Sequence, residues 1–156
     1  MKRALLTLLL PFALAACGTA AGYGTGSTAP SHSAAATLSV RNSSLGKILV
    51  DGNGRTLYIF EADKGTQSTC SGACAQAWPP LTTSGPPKAT AAASQSLVGT
   101  TSRSDGTTQV TYAGHPLYFF SNDTKSGDVT GEGSTAFGAG WDVLSPAGDK
   151  IEKPGS

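Results

Sequence analysis

From Leu38 onward, apolar and polar positions change over a short period. Apolar or β-branched runs of a few residues alternate with clusters of Gly, Asn, Asp and Ser, the pattern of short strands joined by tight turns. Lys47–Asp51 reads as a strand, Asp51–Gly54 as a hairpin turn and Thr56–Phe60 as the returning strand. The successive glycines there supply the positive φ that two-residue hairpin loops need. The same hairpin recurs as Thr108–Tyr112, a turn at Ala113–Gly114, and Pro116–Phe120. Pro116 is tolerated at a strand start, where only one donor is lost. Ser96–Ser102 is a further strand, turning through Arg103–Gly106. Trp141–Ser145 and Lys150–Glu152 form a last hairpin around Pro146–Asp149. No sustained helical period occurs. One or two helical turns fit near Gly72–Trp78, stopped by Pro79 and Pro80.

The recurrence is a repeat. Gly54–Asp63 and Gly114–Asp123 align at an offset of 60, with Gly46 and Val50 answering Gly106 and Val110 at the same offset. Trp78 and Leu81 answer Trp141 and Leu144 after a slip of three. One copy is too small to hold a core alone. The expected fold is therefore all-β: a single small domain of two pseudo-repeated antiparallel units, packed as two small sheets in a sandwich or barrel. Repeat one runs over about 45–82 and repeat two over about 97–150 within a domain spanning 38–156. Ala89–Ser94 is a surface loop between them.

The N-terminus changes the picture. Lys2 and Arg3 precede an almost wholly apolar Ala4–Ala13, and Leu14-Ala15-Ala16-Cys17 closes the segment. A positive start, a short apolar stretch and small residues at the end make residues 1–16 a signal peptide. The stretch falls short of the roughly 20 residues of a permanent span. Leu14–Cys17 is a lipobox, which makes Cys17 the lipidated (diacylglycerol- and palmitate-bearing) N-terminus of a bacterial lipoprotein; the alternative is a secreted protein with an incidental cysteine. More than one acyl chain gives stable anchoring. In a host with two membranes, Gly18 after the cysteine favours the outer one. Gly18–Thr37 is Gly, Ala, Ser and Thr with one Pro, one Tyr and one His and no periodicity, so 17–37 reads as a lipidated flexible tether, with His32 a bystander in it.

Loss of Lys2 and Arg3 takes the formal charge from +1 to −1. Such a chain has no electrostatic footprint for nucleic acid and no polybasic stretch for headgroups.

Candidate chemistry is sparse. In each copy Tyr58 and Phe60, or Tyr118 and Phe120, face one side of a strand while Leu57 and Ile59, or Leu117 and Phe119, face the other. Core packing explains these rings together with Trp78 and Trp141; an aromatic-lined ligand groove is the alternative. Asp63 and Asp123 read as turn starters that accept backbone N–H bonds. Asp123, Asp128 and Glu132, interleaved with glycines, also offer hard oxygen ligands, but not at EF-hand spacing. With Cys17 lipidated, Cys70 and Cys74 remain an even pair, expected as a disulfide in an oxidising compartment. Four-residue separation on a helical turn puts the Cα atoms about 6 Å apart, within disulfide reach. The bridge would pin the loop that delivers Trp78–Leu81. His115 stands alone at a hairpin turn as a possible ligand. There is no nucleophile elbow, Walker loop or zinc-type histidine pair.

Taken in order, these residues resemble a group of bacterial secreted or lipid-anchored proteins defined by a repeated Tyr-x-aromatic-x-x-Asp motif. The motif stands here as Tyr58-x-Phe60-x-x-Asp63 and Tyr118-x-Phe120-x-x-Asp123. Cys70-x-x-x-Cys74, Trp78–Leu81, Arg103-x-Asp-Gly106, Gln109–Tyr112, Gly114–Tyr118, Gly127-Asp128 and Trp141 extend the resemblance from Leu45 to about Gly148. It implies a secreted repeat of unknown function and supplies no catalytic residues and no cofactor. The expectation is a non-enzymatic, lipid-anchored envelope module with a protein or glycan partner. The competing expectations are an extracytoplasmic redox or metal-handling protein, and a carbohydrate or peptidoglycan binder.

Overall fold

A computed structural model describes residues 34–152. The expected signal peptide, Cys17, His32 and most of the expected tether lie outside the described residues.

The described chain is all-β, with three three-stranded sheets and almost no helix. β1 (Thr37–Ser43) and β2 (Gly46–Asp51) form an antiparallel hairpin with Leu38 opposite Asp51. β3 (Tyr58–Phe60) follows, then one short helix, α1 (Ala73–Ala77), where the sequence places a helical turn. β4 (Lys88–Ala89) lies parallel to the start of β1. β5 (Val98–Ser102) and β6 (Thr108–Tyr112) form the hairpin expected around Arg103–Gly106, and β7 (His115–Pro116) turns back along β6. β8 (Trp141–Leu144) and β9 (Lys150–Ile151) are the last hairpin. Gly54 and Gly114 both sit in the left-handed region, at φ 80° and 85°, as their equivalent turns require.

The pairing departs from the sequence reading in four places. β1 has no counterpart in that reading; it stands 60 positions before β5, so the equivalence begins upstream of Leu45. The returning strand expected over Thr56–Phe60 stays with β2 only through Val50–Thr56, and β3 pairs with β8 instead. β1 fills one edge of β2 and Leu57 donates to Leu49 O on the other, but the backbone of Tyr58 is taken by Tyr118, with mutual N–H···O=C bonds of 2.8 and 2.9 Å. Pro116–Phe120 is cut short in the same way, so three small sheets form in place of two. Ala89, expected in a surface loop, pairs with Leu38.

Strand alternation then sorts the core into two clusters. Leu57, Ile59, Leu117 and Phe119 join Leu38, Leu49, Val110 and Leu144 in one. Tyr58, Phe60 and Tyr118 join Trp78, Trp141 and the cysteines in the other. Strands apolar on both faces are buried on both.

Candidate functional site

The second cluster is where the repeated residues meet, and they meet across copies. Tyr58 donates its hydroxyl to Asp123 Oδ2 at 2.6 Å, and Tyr118 donates to Asp63 Oδ2 at 2.6 Å. The other oxygen of each carboxylate holds a threonine six or seven residues on. Asp63 Oδ1 accepts the N–H and hydroxyl of Thr69 at 2.7 and 3.1 Å; Asp123 Oδ1 accepts those of Thr130 at 3.0 and 2.5 Å. Each aspartate thus closes its own loop with one oxygen and grips the other copy's tyrosine with the second. Burial pushes both phenols well above the ordinary tyrosine range, and the partner carboxylate adds to the effect by favouring the neutral hydroxyl.

The rings exchange likewise. Phe60 stacks on Trp141 at 4.2 Å and Phe120 on Trp78 at 4.3 Å. Trp78 and Trp141 stack on each other at 3.9 Å and 5°, and each meets its own copy's tyrosine edge-on at 5.3 Å. The four-ring column Phe60–Trp141–Trp78–Phe120 runs through the middle of the cluster. Tyr58, Tyr118, Trp78 and Trp141 are at most 1 % exposed, so no aromatic groove opens here; Phe120 alone of the six is half-buried.

The disulfide supports this arrangement from one side. Cys70 and Cys74 are bridged, with Cα atoms 5.3 Å apart, and both are buried. Arg103, whose side chain is 5 % exposed, reaches Cys70 O at 2.6 Å, Ser68 Oγ at 2.8 Å and Gln109 Oε1 at 2.6 Å. Ser68 Oγ lies 2.7 Å from the Tyr118 hydroxyl; that hydroxyl's single proton goes to Asp63, so Ser68 is the donor. Arg103, Ser68 and the bridge therefore fix the loop whose aspartate holds the second copy.

A family described as a secreted repeat of unknown function matches residues 39–82 and, again, 99–145. The chain belongs to this secreted-repeat family. The two matched segments are the two halves of the exchange, and the family places the protein outside the cytoplasm. No curated protein and no solved structure matches the chain.

In this secreted repeat the remaining candidates are scattered. Asp123 is inside the exchange. Asp128 Oδ2 caps its own loop, accepting the N–H groups of Thr124 and Lys125 at 3.1 and 2.9 Å. Glu132 Oε2 accepts the N–H of Val143 at 2.7 Å. Among the described residues no group of three or more His, Cys, Asp or Glu is arranged to hold a metal ion. His115 is exposed on β7 and lines a cleft of about 460 Å³ together with Ile59, Glu61, Asp63, Asp149 and Lys150.

Four functional contributors escape the sequence reading. Thr69 and Thr130 have a signal, a threonine at nearly equal spacing after each motif aspartate. Ser68 has none. Asp142 has a clear one, a carboxylate inside the apolar run Trp141–Leu144.

Proposed function

We propose that this extracytoplasmic protein is a lipid-anchored envelope module that binds or scaffolds and does not catalyse. Cys17 carries the lipid, the residues between it and Ala36 space the β body from the bilayer, and the body, which begins with the bonded Ala36 and Thr37, presents its surface to a partner in the envelope. One observation carries the non-catalytic half of this reading. The motif tyrosines and aspartates hydrogen-bond each other across the copies; both tyrosines and Asp123 are buried, and Asp63 is half-buried. Residues committed in this way hold a fold together, with their hydroxyls and carboxylates already bonded to one another. The buried bridge, with Cys70 at 1 % and Cys74 at 7 % exposure, supports a structural disulfide over an exchanging one, because thiol attack needs access. The burial of five of the six motif rings weighs against sugar stacking on them.

The anchoring half is tested by growing an expressing bacterium on labelled palmitate. The wild-type chain takes up label and partitions into the detergent phase; Cys17→Ser loses both. Label retained by Cys17→Ser, or absent from the wild type, refutes the anchor. Turnover of a thiol, peroxide or hydrolytic substrate that Cys70→Ser or His115→Ala abolishes would refute the non-catalytic half.

A further inference from the structure

The sheet β3–β8–β9 has two unlike faces. Tyr58, Phe60, Trp141, Val143 and Ile151 point into the aromatic cluster. On the other face Ile59 and Leu144 are covered by the aliphatic cluster, and beyond them the face turns acidic. Glu61, Glu132, Asp142 and Glu152 line a cavity of about 200 Å³, with Lys150 the one cation among its described lining residues. Lys150 Nζ lies 2.8 Å from Glu61 Oε1 and 2.9 Å from Glu152 Oε1. Asp142 is 8 % exposed, and its Oδ2 has no hydrogen-bond donor among the described residues. Burial pushes its carboxyl upward, and Glu61 adds to that more than Lys150 relieves it. A buried carboxylate oxygen without a donor is costly, and native structures rarely keep one without a use.

We propose that this cavity is a binding site for a primary ammonium group, which donates to Asp142 and is shared by the surrounding carboxylates. Lys150 shows that an ammonium fits between two of these acids at ordinary hydrogen-bond distances. Among the described residues Glu61, Asp142 and Glu152 outnumber the one cation, Lys150, so a second is drawn in by charge. An ammonium brings three donors, which suits a dispersed set of single oxygens. A metal ion needs its ligands gathered, and the described residues gather no such set. The ligand is an organic amine, either a free polyamine or a lysine side chain of an envelope partner. This deepens the binding-module reading and rests on it.

The test is calorimetric titration of the full chain with 1,4-diaminobutane and, separately, with N-acetyl-lysine amide. Saturable binding of either supports the proposal, and the stronger of the two identifies the source. Asp142→Asn should weaken binding at least tenfold, with thermal unfolding followed to confirm that the variant folds. Lys150→Met frees Glu61 and Glu152 and should tighten binding several-fold, a gain that a misfolded variant cannot mimic. Tetramethylammonium, with the charge but no N–H donor, should not bind. No saturable heat with either amine, equal binding of tetramethylammonium, unchanged affinity in a folded Asp142→Asn, or displacement of the amine by equimolar Ca²⁺ would overturn the site. None of these results touches palmitate labelling or turnover, so this proposal and the broader reading fail separately.

Discussion

Tyr58→Phe removes one hydroxyl from a buried exchange between the repeats. That hydroxyl donates to Asp123 and lies within reach of the Gly131 N–H at 3.3 Å. A hydrogen bond to a charged group contributes about 1.5–3 kcal/mol, and the partner left behind here is a buried carboxylate. The expected loss of stability is about 2–3 kcal/mol, or roughly 30- to 160-fold in the folding equilibrium. The sharper quantity is the coupling. Asp123 and Tyr58 share a bond, while Asp63 of the same copy bonds Tyr118. A double-mutant cycle between Tyr58→Phe and Asp123→Asn should show about 1.5 kcal/mol or more of interaction energy, and the cycle with Asp63→Asn should add within about 0.5 kcal/mol. The mirror-image cycles with Tyr118→Phe should reverse the assignment. The assay is urea denaturation at constant m. Strong coupling of each tyrosine to the aspartate of its own copy, and none across copies, would refute the exchange and the architecture built on it.

Two further outcomes follow from the same cluster. Gly131→Ala should destabilise by about 1–3 kcal/mol in the same urea assay, since a Cβ there would stand 2.7 Å from Trp78 Cη2 and 3.0 Å from Phe120 Cγ, in rigid stacked rings. Alkaline titration should weaken the fold: Tyr58 and Tyr118 hold their protons in the folded state above the pH at which free tyrosine ionises. Their stabilisation is complete below about pH 10 and falls above it by up to about 1.4 kcal/mol per pH unit for each tyrosine. Tyr58→Phe should remove its share of that slope, as read by denaturation at a series of pH values.

Much of this fold lies open in the sequence because short-range signals write it. Strand alternation at Leu57–Phe60 assigns each side chain to the cluster it joins. The Gly-rich turns place the hairpins β5–β6 and β8–β9, and the spacing of Cys70 and Cys74 places the bridge. β1 is harder to see, because Leu38 and Val40 are its only large apolar residues and it continues straight from a small-residue stretch. The exchange itself is invisible along the chain. An aspartate five residues after a tyrosine looks the same whether it serves that tyrosine or its counterpart 60 positions away, and only the third dimension decides. The same choice explains why both returning strands were expected to be longer than they are: Tyr58 and Tyr118 leave their hairpins to bond each other. Asp142 shows the limit at the site, since its isolation in an apolar run is visible but its missing partner is not.

The exchange also says where function belongs. Neither copy bonds its own tyrosine hydroxyl to its own motif aspartate or stacks its own phenylalanine on its own tryptophan, so the matched positions are fixed by mutual need and have little freedom to serve a ligand. Freedom lies where the copies differ. The slip of three that aligns Trp78 with Trp141 aligns Pro79 with Asp142, a residue without charge against a buried carboxylate. The first copy reaches its tryptophan through the disulfide and α1; the second reaches it through Glu132 and the Gly-rich turn that ends at Gly140. That second route carries Phe137, the one large hydrophobic residue exposed among the described residues, at φ 66° in the left-handed region where a phenylalanine rarely sits. Asp142, Glu132, the turn and the β9 charges come from the second copy's stretch of chain and, with Glu61 from the first, line the acidic cavity. Symmetry accounts for the packing of this protein, and its broken symmetry singles out the β3–β8–β9 face as the surface with something left to bind.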